Sequence, residues 1–159
     1  MKPRALYYTI LKYQPENLTL LKRVFETVEL ESPNDDTDSV LETVEVLFAP
    51  LGFMVDRSRI IRCPKLRAIV SNTTGVPHID VIEAQTRGIE VCALHNEPMF
   101  LDRITPTAEH AIGLMMAAWR RIPAAHVAAI RGQWDRRPWA AERMLSRMRL
   151  GIVGYGRLG

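Results

Sequence analysis

Apolar residues fall along this chain in short runs separated by stretches with helical spacing. Residues 5–10, 27–30, 46–49, 68–71 and 90–93 are five strand candidates, each short, apolar and partly β-branched or aromatic. Between the first two, residues 15–24 place Leu18, Leu21 and Val24 on one helix face. The turn-rich residues 32–39 lead into a short helix through Thr43. Residues 57–63 and 79–86 also have helix-like composition, and Gly88 provides a stop after the second. Strands alternating with helices imply βαβ crossovers, hence a parallel sheet with helices on both faces. Five such strands predict an α/β fold, a flavodoxin-like parallel sheet flanked by helices, in strand order 2-1-3-4-5.

After residue 93 the pattern changes. Residues 94–104 read as a loop, and Thr105-Pro106 as an N-cap followed by proline at the first helical position. The helix expected over 107–121 is apolar nearly all the way round, with Ala108, Ala111, Ile112, Leu114, Met115, Met116 and Trp119. A helix without a polar face belongs between layers or domains. Pro123 ends or bends it, and a second helical stretch runs to Arg131 before Gly132. A last strand candidate, residues 149–153, leads into Gly154-Tyr155-Gly156-Arg157-Leu158-Gly159. This is the G-x-G-x-x-G of dinucleotide-binding βαβ units. Its first glycine allows a tight turn, the second admits the pyrophosphate, and the third lets strand and helix pack closely. The six residues are therefore candidate cofactor contacts for NAD or NADP in a full-length protein, while the 159 residues by themselves are not expected to bind it. The helix and ribose-binding acid that complete such a unit are expected beyond residue 159, so the reading is of a truncated nucleotide domain. The expected division is a flavodoxin-like domain over 1–104, helices and an arm over 105–148, and the first strand and glycine loop of a truncated Rossmann domain over 149–159.

Composition narrows the partners. With 47% hydrophobic and 25% charged residues, the chain is that of a globular domain rather than a disordered one. No run approaches the 18 or so apolar residues of a membrane span, so no membrane partner is expected. The N-terminal residues lack a signal peptide's apolar segment, and Cys63 and Cys92 have neither metal-site spacing nor scaffold density. A reducing cytoplasm is the expected location. The net charge of +3 hides an asymmetry: residues 119–159 carry nine arginines against Asp135 and Glu142, while the first 118 residues are net acidic. Trp134, Trp139, Met144, Leu145 and Met148 interrupt the arginines, which favours a packed arm over a nucleic-acid surface. Asp35-Asp36-Thr37-Asp38 lacks the glycine and terminal glutamate of a calcium loop. The four histidines make no metal motif, and His78 is expected in the first turn of the helix after the 71–77 loop.

Three stretches in register resemble the D-isomer-specific 2-hydroxyacid dehydrogenases. They are Leu66-Arg-Ala-Ile-Val-Ser-Asn-Thr-Thr-Gly-Val-Pro-His-Ile-Asp80, Thr105-Pro-Thr-Ala-Glu-His110, and Gly132-Gln-Trp134 followed by Leu150-Gly-Ile-Val-Gly-Tyr-Gly-Arg-Leu-Gly159. The resemblance covers roughly residues 60–159 and implies reversible hydride transfer between a nicotinamide and a small 2-hydroxy or 2-keto acid. It implies that the amides of Thr74 and Gly75 bind the substrate carboxylate, a use suited to adjacent N–H groups at a strand's carboxyl end. It places Thr107 near the cofactor, and it makes residues 1–104 the substrate-binding domain and residues 105–148 the interdomain helices and dimerisation arm. Where this chain has Thr73 and Thr74, the family commonly has glycine and valine. The family's Arg, Glu and His catalytic set has no counterpart within these residues, so the 159 residues by themselves are expected to be inactive. Homodimerisation through residues 107–159 is expected, because their apolar helix and arm need a cover. The alternative is a non-catalytic binding module of the same fold, as in the family's corepressor relatives; the presence or absence of the Arg-Glu-His set discriminates the two.

Overall fold

The protein is described by a computed structural model covering residues 1–140 and 143–158. It divides into two compact units, Met1–Leu101 and Asp102–Gly159. In the first, strands β1 (Arg4–Tyr8), β2 (Glu26–Leu30), β3 (Val46–Phe48), β4 (Ala68–Ser71) and β5 (Glu90–Ala93) form one sheet in the order β2-β1-β3-β4-β5. Every pairing is parallel: Leu6 stands opposite Val28 on one side and Leu47 on the other, and Leu47 opposite Ile69. The flavodoxin-like expectation therefore holds, strand order included.

Parallel strands need crossovers, and the helices that supply them cover both faces. Along β1 the side chains alternate: Ala5 and Tyr7 join one core with Leu21, Val46 and Phe48, while Leu6 and Tyr8 join the other with Leu47, Ile60 and Ile69. Helix α1 (Pro15–Val24) contributes Leu21 to the first core. The second core takes Leu41 from α2 (Asp38–Leu41), Ile60 from α3 (Arg57–Ile61) and Ala84 from α4 (Val81–Thr86). Asp56 and Asp80 cap α3 and α4, accepting from the amides of Arg59 and Glu83 at 3.0 Å each.

The strand run expected over 5–10 stops at Tyr8. Thr9–Leu11 forms a 3-10 turn closed by Lys12 in the left-handed region, φ 50°. The helix expected from residue 79 starts at Val81, because Ile79 is taken by a parallel bridge to Val55 and Asp80 serves as the cap. The loop expected over 94–104 contains a 3-10 turn, Leu94–Asn96, and helix α5 (Pro98–Leu101).

Beneath the second core lies a buried ion pair. The Arg59 guanidinium meets the Asp36 carboxylate at 2.6 Å, with 8% and 5% of the side chains exposed. The Tyr8 hydroxyl donates to the same carboxylate at 2.6 Å and accepts from Arg59. Burial pushes the Tyr8 phenol far above its usual range, Asp36 adding to the shift and Arg59 opposing it. The neighbouring Cys63 thiol is pushed up to about 11, also by burial, so it packs as a small apolar group.

The second unit contains α6 (Pro106–Trp119) and α7 (Ile122–Ile130), joined through Arg121 at φ 51°. Thr105 precedes Pro106 as expected, but its hydroxyl donates to the Glu109 carboxylate instead of accepting from a backbone amide. No residue of α6 is buried, and Ile112 and Leu114 are more than half exposed. The strand expected over 149–153 is absent: a strand exists only by bonding to another, and the described residues of this unit supply none. Among the described residues, no helix is long and apolar enough to cross a membrane.

The Arg59–Asp36 pair makes a direct test of stability. Arg59→Met strands the Asp36 carboxylate, and urea unfolding should show a loss of about 3–5 kcal/mol. Arg62→Met, which removes the exposed partner of Asp38, should cost less than about 1 kcal/mol. Equal losses for the two would contradict a buried role for Arg59.

Candidate functional site

The loop after β4 is shaped by its own hydroxyls. Thr73 Oγ1 donates to the Gly75 carbonyl at 2.6 Å and contacts Ser71 Oγ at 2.7 Å. A hydroxyl has one proton, so Thr73 must accept from Ser71. Ser71 Oγ, its proton thus committed, must accept from His78 Nε2 at 3.3 Å. The His78 ring is therefore the Nε2–H tautomer. Its Nδ1 is buried without a partner among the described residues, and burial holds its pKa below the ordinary value of 6.5. His78 lies in the turn before the Val55–Ile79 bridge, correcting the placement in a helical first turn expected from sequence. Its carbonyl accepts from the Val55 amide at 2.8 Å.

Both flanks of the loop are thus fixed. The Thr73 carbonyl accepts from the Leu94 amide at 3.1 Å, tying the loop to the end of β5. Between the flanks, Thr74 and Gly75 are exposed, and their amides have no protein acceptor among the described residues. Gly75 is not in a left-handed conformation, and a Cβ there would meet Pro77 Cδ at an ordinary 3.8 Å. What the missing Cβ leaves open is approach from solvent rather than a turn. Two adjacent uncommitted donors between fixed flanks suit a carboxylate.

The remaining sequence candidates lie in the second unit. Thr107 is exposed on the first turn of α6. Arg157 Nη1 donates to the Ile104 carbonyl at 3.0 Å, which brings the glycine fingerprint beside the start of that helix. Gly154 has φ 87°, a conformation that favours glycine, while Gly156 is outside that region. The amides of Gly154, Tyr155 and Gly156 have no protein acceptor among the described residues. Gly154, Tyr155, Gly156, Arg157 and Leu158 are all exposed, and Gly159 lies outside the described residues. Unbonded backbone donors at a turn that favours glycine suit an anionic diphosphate.

The profile of the D-isomer specific 2-hydroxyacid dehydrogenase catalytic domain matches residues 6–149. The chain belongs to this family. It is 31% identical to the glyoxylate reductase of Pyrococcus furiosus over its whole length, covering 48% of that protein. To the D-3-phosphoglycerate dehydrogenase of Mycobacterium bovis it is 30% identical over 93% of its length, covering 27%. The chain thus spans about half the length of the first relative and less of the second. Among solved structures, the Aquifex aeolicus D-lactate dehydrogenase complexed with NAD and lactic acid matches 98% of this chain and 45% of its own, with TM-score 0.82 and 18% identity. The NADPH-dependent glyoxylate/hydroxypyruvate reductase of Sinorhizobium meliloti, solved with NADP and malonate, matches all of this chain and 48% of its own, with TM-score 0.74 and 25% identity.

Sequence reading missed the Ser71–Thr73–His78 chain that shapes the loop after β4. The one available signal was a hydroxyl at residue 73, where the family commonly has glycine. Thr73→Val removes both bonds of that hydroxyl and should cost about 1–3 kcal/mol. Amide exchange at Thr74, Gly75 and Val76 should accelerate, and unchanged exchange would show that Thr73 does not hold the loop.

His78 adds a pH dependence. Its native pKa lies below the unfolded 6.5, so the unfolded chain binds more protons as acid is added. Its contribution is therefore complete above about pH 7, falls as pH drops through 6.5, and levels off below the native value. His78→Gln, which keeps a donor near Ser71, should flatten urea-measured stability between pH 7 and 5. The same slope in both proteins would clear His78.

Proposed function

We propose that this chain is the substrate-binding part of a nicotinamide-dependent 2-hydroxyacid dehydrogenase, holding the carboxylate of a small 2-keto or 2-hydroxy acid on the amides of Thr74 and Gly75. The observation that carries the reading is the pair of adjacent, uncommitted donors between two fixed flanks, on the loop at the carboxyl end of β4. Ligands of open parallel sheets bind at that end of the strands. Thr107 and the backbone of Gly154, Tyr155, Gly156, Arg157, Leu158 and Gly159 form the start of the cofactor site, for NAD or NADP. These residues would hold the cofactor by its phosphates, and the nicotinamide would supply hydride chemistry at C2 of the acid.

The 159 residues alone bind the acid but do not turn it over, because the fingerprint's phosphate contacts are completed by the amides of a following helix. Residues 107–159 associate with a second copy. Ile112, Ile130, Trp134, Leu150 and Val153 are all more than half exposed there, an apolar content typical of interfaces.

Glyoxylate or acetate titrated into the ¹⁵N-labelled protein should shift the Thr74 and Gly75 amide signals at millimolar concentration, and unmoved signals at saturation would reject the carboxylate site. Incubation with NADH and glyoxylate should show no turnover above buffer. Light scattering at tens of micromolar should give twice the 18.1 kDa chain mass. A monomer at that concentration would reject the self-association.

A further inference from the structure

Beside the loop just assigned lies an open recess of about 530 Å³, wholly within the first unit. Its walls follow three neighbouring strands at their carboxyl ends: Lys12 and Gln14 come after β1, Phe48 ends β3, and Asn72 follows β4. Leu21 and Phe48 give it an apolar floor, and Lys12, Gln14, Asn17 and Asn72 a polar rim. Lys12 is the single charged residue among those lining it. None of the four rim side chains has a hydrogen-bond or ion-pair partner among the described residues, so an ammonium and three carboxamides stand uncommitted around one cavity.

The rim is also held in place. Lys12 occupies the left-handed region at φ 50°, unusual for a residue with a side chain, and its amide donates to the Thr9 carbonyl at 2.9 Å. The next amide, that of Tyr13, donates to the Tyr7 hydroxyl at 3.1 Å. The Tyr13 ring packs against Tyr7 at 5.1 Å and edge-on against Phe48 at 6.3 Å. Strained backbone locked by packing is a recurrent feature of ligand sites. Asn72 is two residues from Thr74, at most about 7 Å along the chain. Asn72 thus joins the recess to the start of the loop after β4.

Resting on the reading of Thr74 and Gly75 as a carboxylate site, we propose that this recess takes the far end of the substrate and that Lys12 selects acids carrying a second carboxylate. A short aliphatic chain crosses the apolar floor, and the terminal carboxylate meets the ammonium and the carboxamide donors. One ammonium among neutral amides matches a singly charged carboxylate better than a phosphate, for which the forked donors of arginine are better suited.

Two five-carbon acids isolate that contact: 2-oxoglutarate and 2-oxovalerate differ in the terminal carboxylate. Each is titrated into the ¹⁵N-labelled 159-residue chain, with the Thr74 and Gly75 amides reporting the first carboxylate. We expect 2-oxoglutarate to bind about 2–5-fold more tightly at low salt, the range for an exposed ion pair. The preference should shrink at high salt. It should vanish in Lys12→Gln and return in Lys12→Arg, both with unchanged circular dichroism. Equal affinity for the two acids, with Thr74 and Gly75 still shifting, overturns the Lys12 assignment and leaves the carboxylate site standing. A preference that survives Lys12→Gln also overturns it. Tighter binding of 3-phosphohydroxypyruvate than of 2-oxoglutarate overturns the choice of a carboxylate. Unmoved Thr74 and Gly75 signals with every acid overturn the carboxylate site, and the recess assignment with it.

Discussion

Parallel pairing of β1 with both β2 and β3 is the constraint from which the rest of the first unit follows. A parallel neighbour cannot be reached by a hairpin, so each strand is followed by a crossover over one face of the sheet. β1 is therefore covered above and below, and Ala5, Leu6, Tyr7 and Tyr8 are all buried although they point alternately to opposite faces. Because all five strands run one way, the loops that leave them gather at one edge. Lys12, Phe48 and Asn72, distant in sequence, line one recess for that reason alone.

Buried polar groups then fix the loops that the sheet only gathers. The Arg59–Asp36 pair joins α3 to the segment after β2, with Tyr8 at the end of β1 as the third member. Arg59 Nε remains without a partner among the described residues, which makes the cluster poor economy as a source of stability but a specific one as a fastening. The Ser71–Thr73–His78 chain does the same for the loop after β4 with neutral groups. It consumes the Gly75 carbonyl and leaves the two adjacent amides uncommitted.

The second unit has a different physical character. Its two helices leave Ile112, Leu114, Ile122 and Ile130 about half exposed or more, and its fingerprint has donors but no ladder. Such a surface gains stability from whatever covers it, in contrast to the two-sided core of the first unit.

Much of the fold was legible in the residues themselves. Five apolar runs alternating with helical spacing determine a parallel sheet, and β3, β4 and β5 lie within a residue of where those runs predict them. The boundaries that moved did so where a tertiary contact outcompeted local pattern: Tyr8 ends its strand because the chain turns at Lys12, and Val81 starts its helix because Ile79 pairs with Val55. The run at 149–153 has strand composition and no strand, since strand propensity expresses itself only against a neighbour. For the proposed site, motif resemblance in the sequence pointed to Thr74, Gly75 and the fingerprint. It could not show that Thr73 binds the Gly75 carbonyl, that His78 is buried as one tautomer, or that Lys12 faces a recess with Asn72. Those are relations between residues, set by which loops the sheet brings to one edge and which polar groups burial obliges to pair.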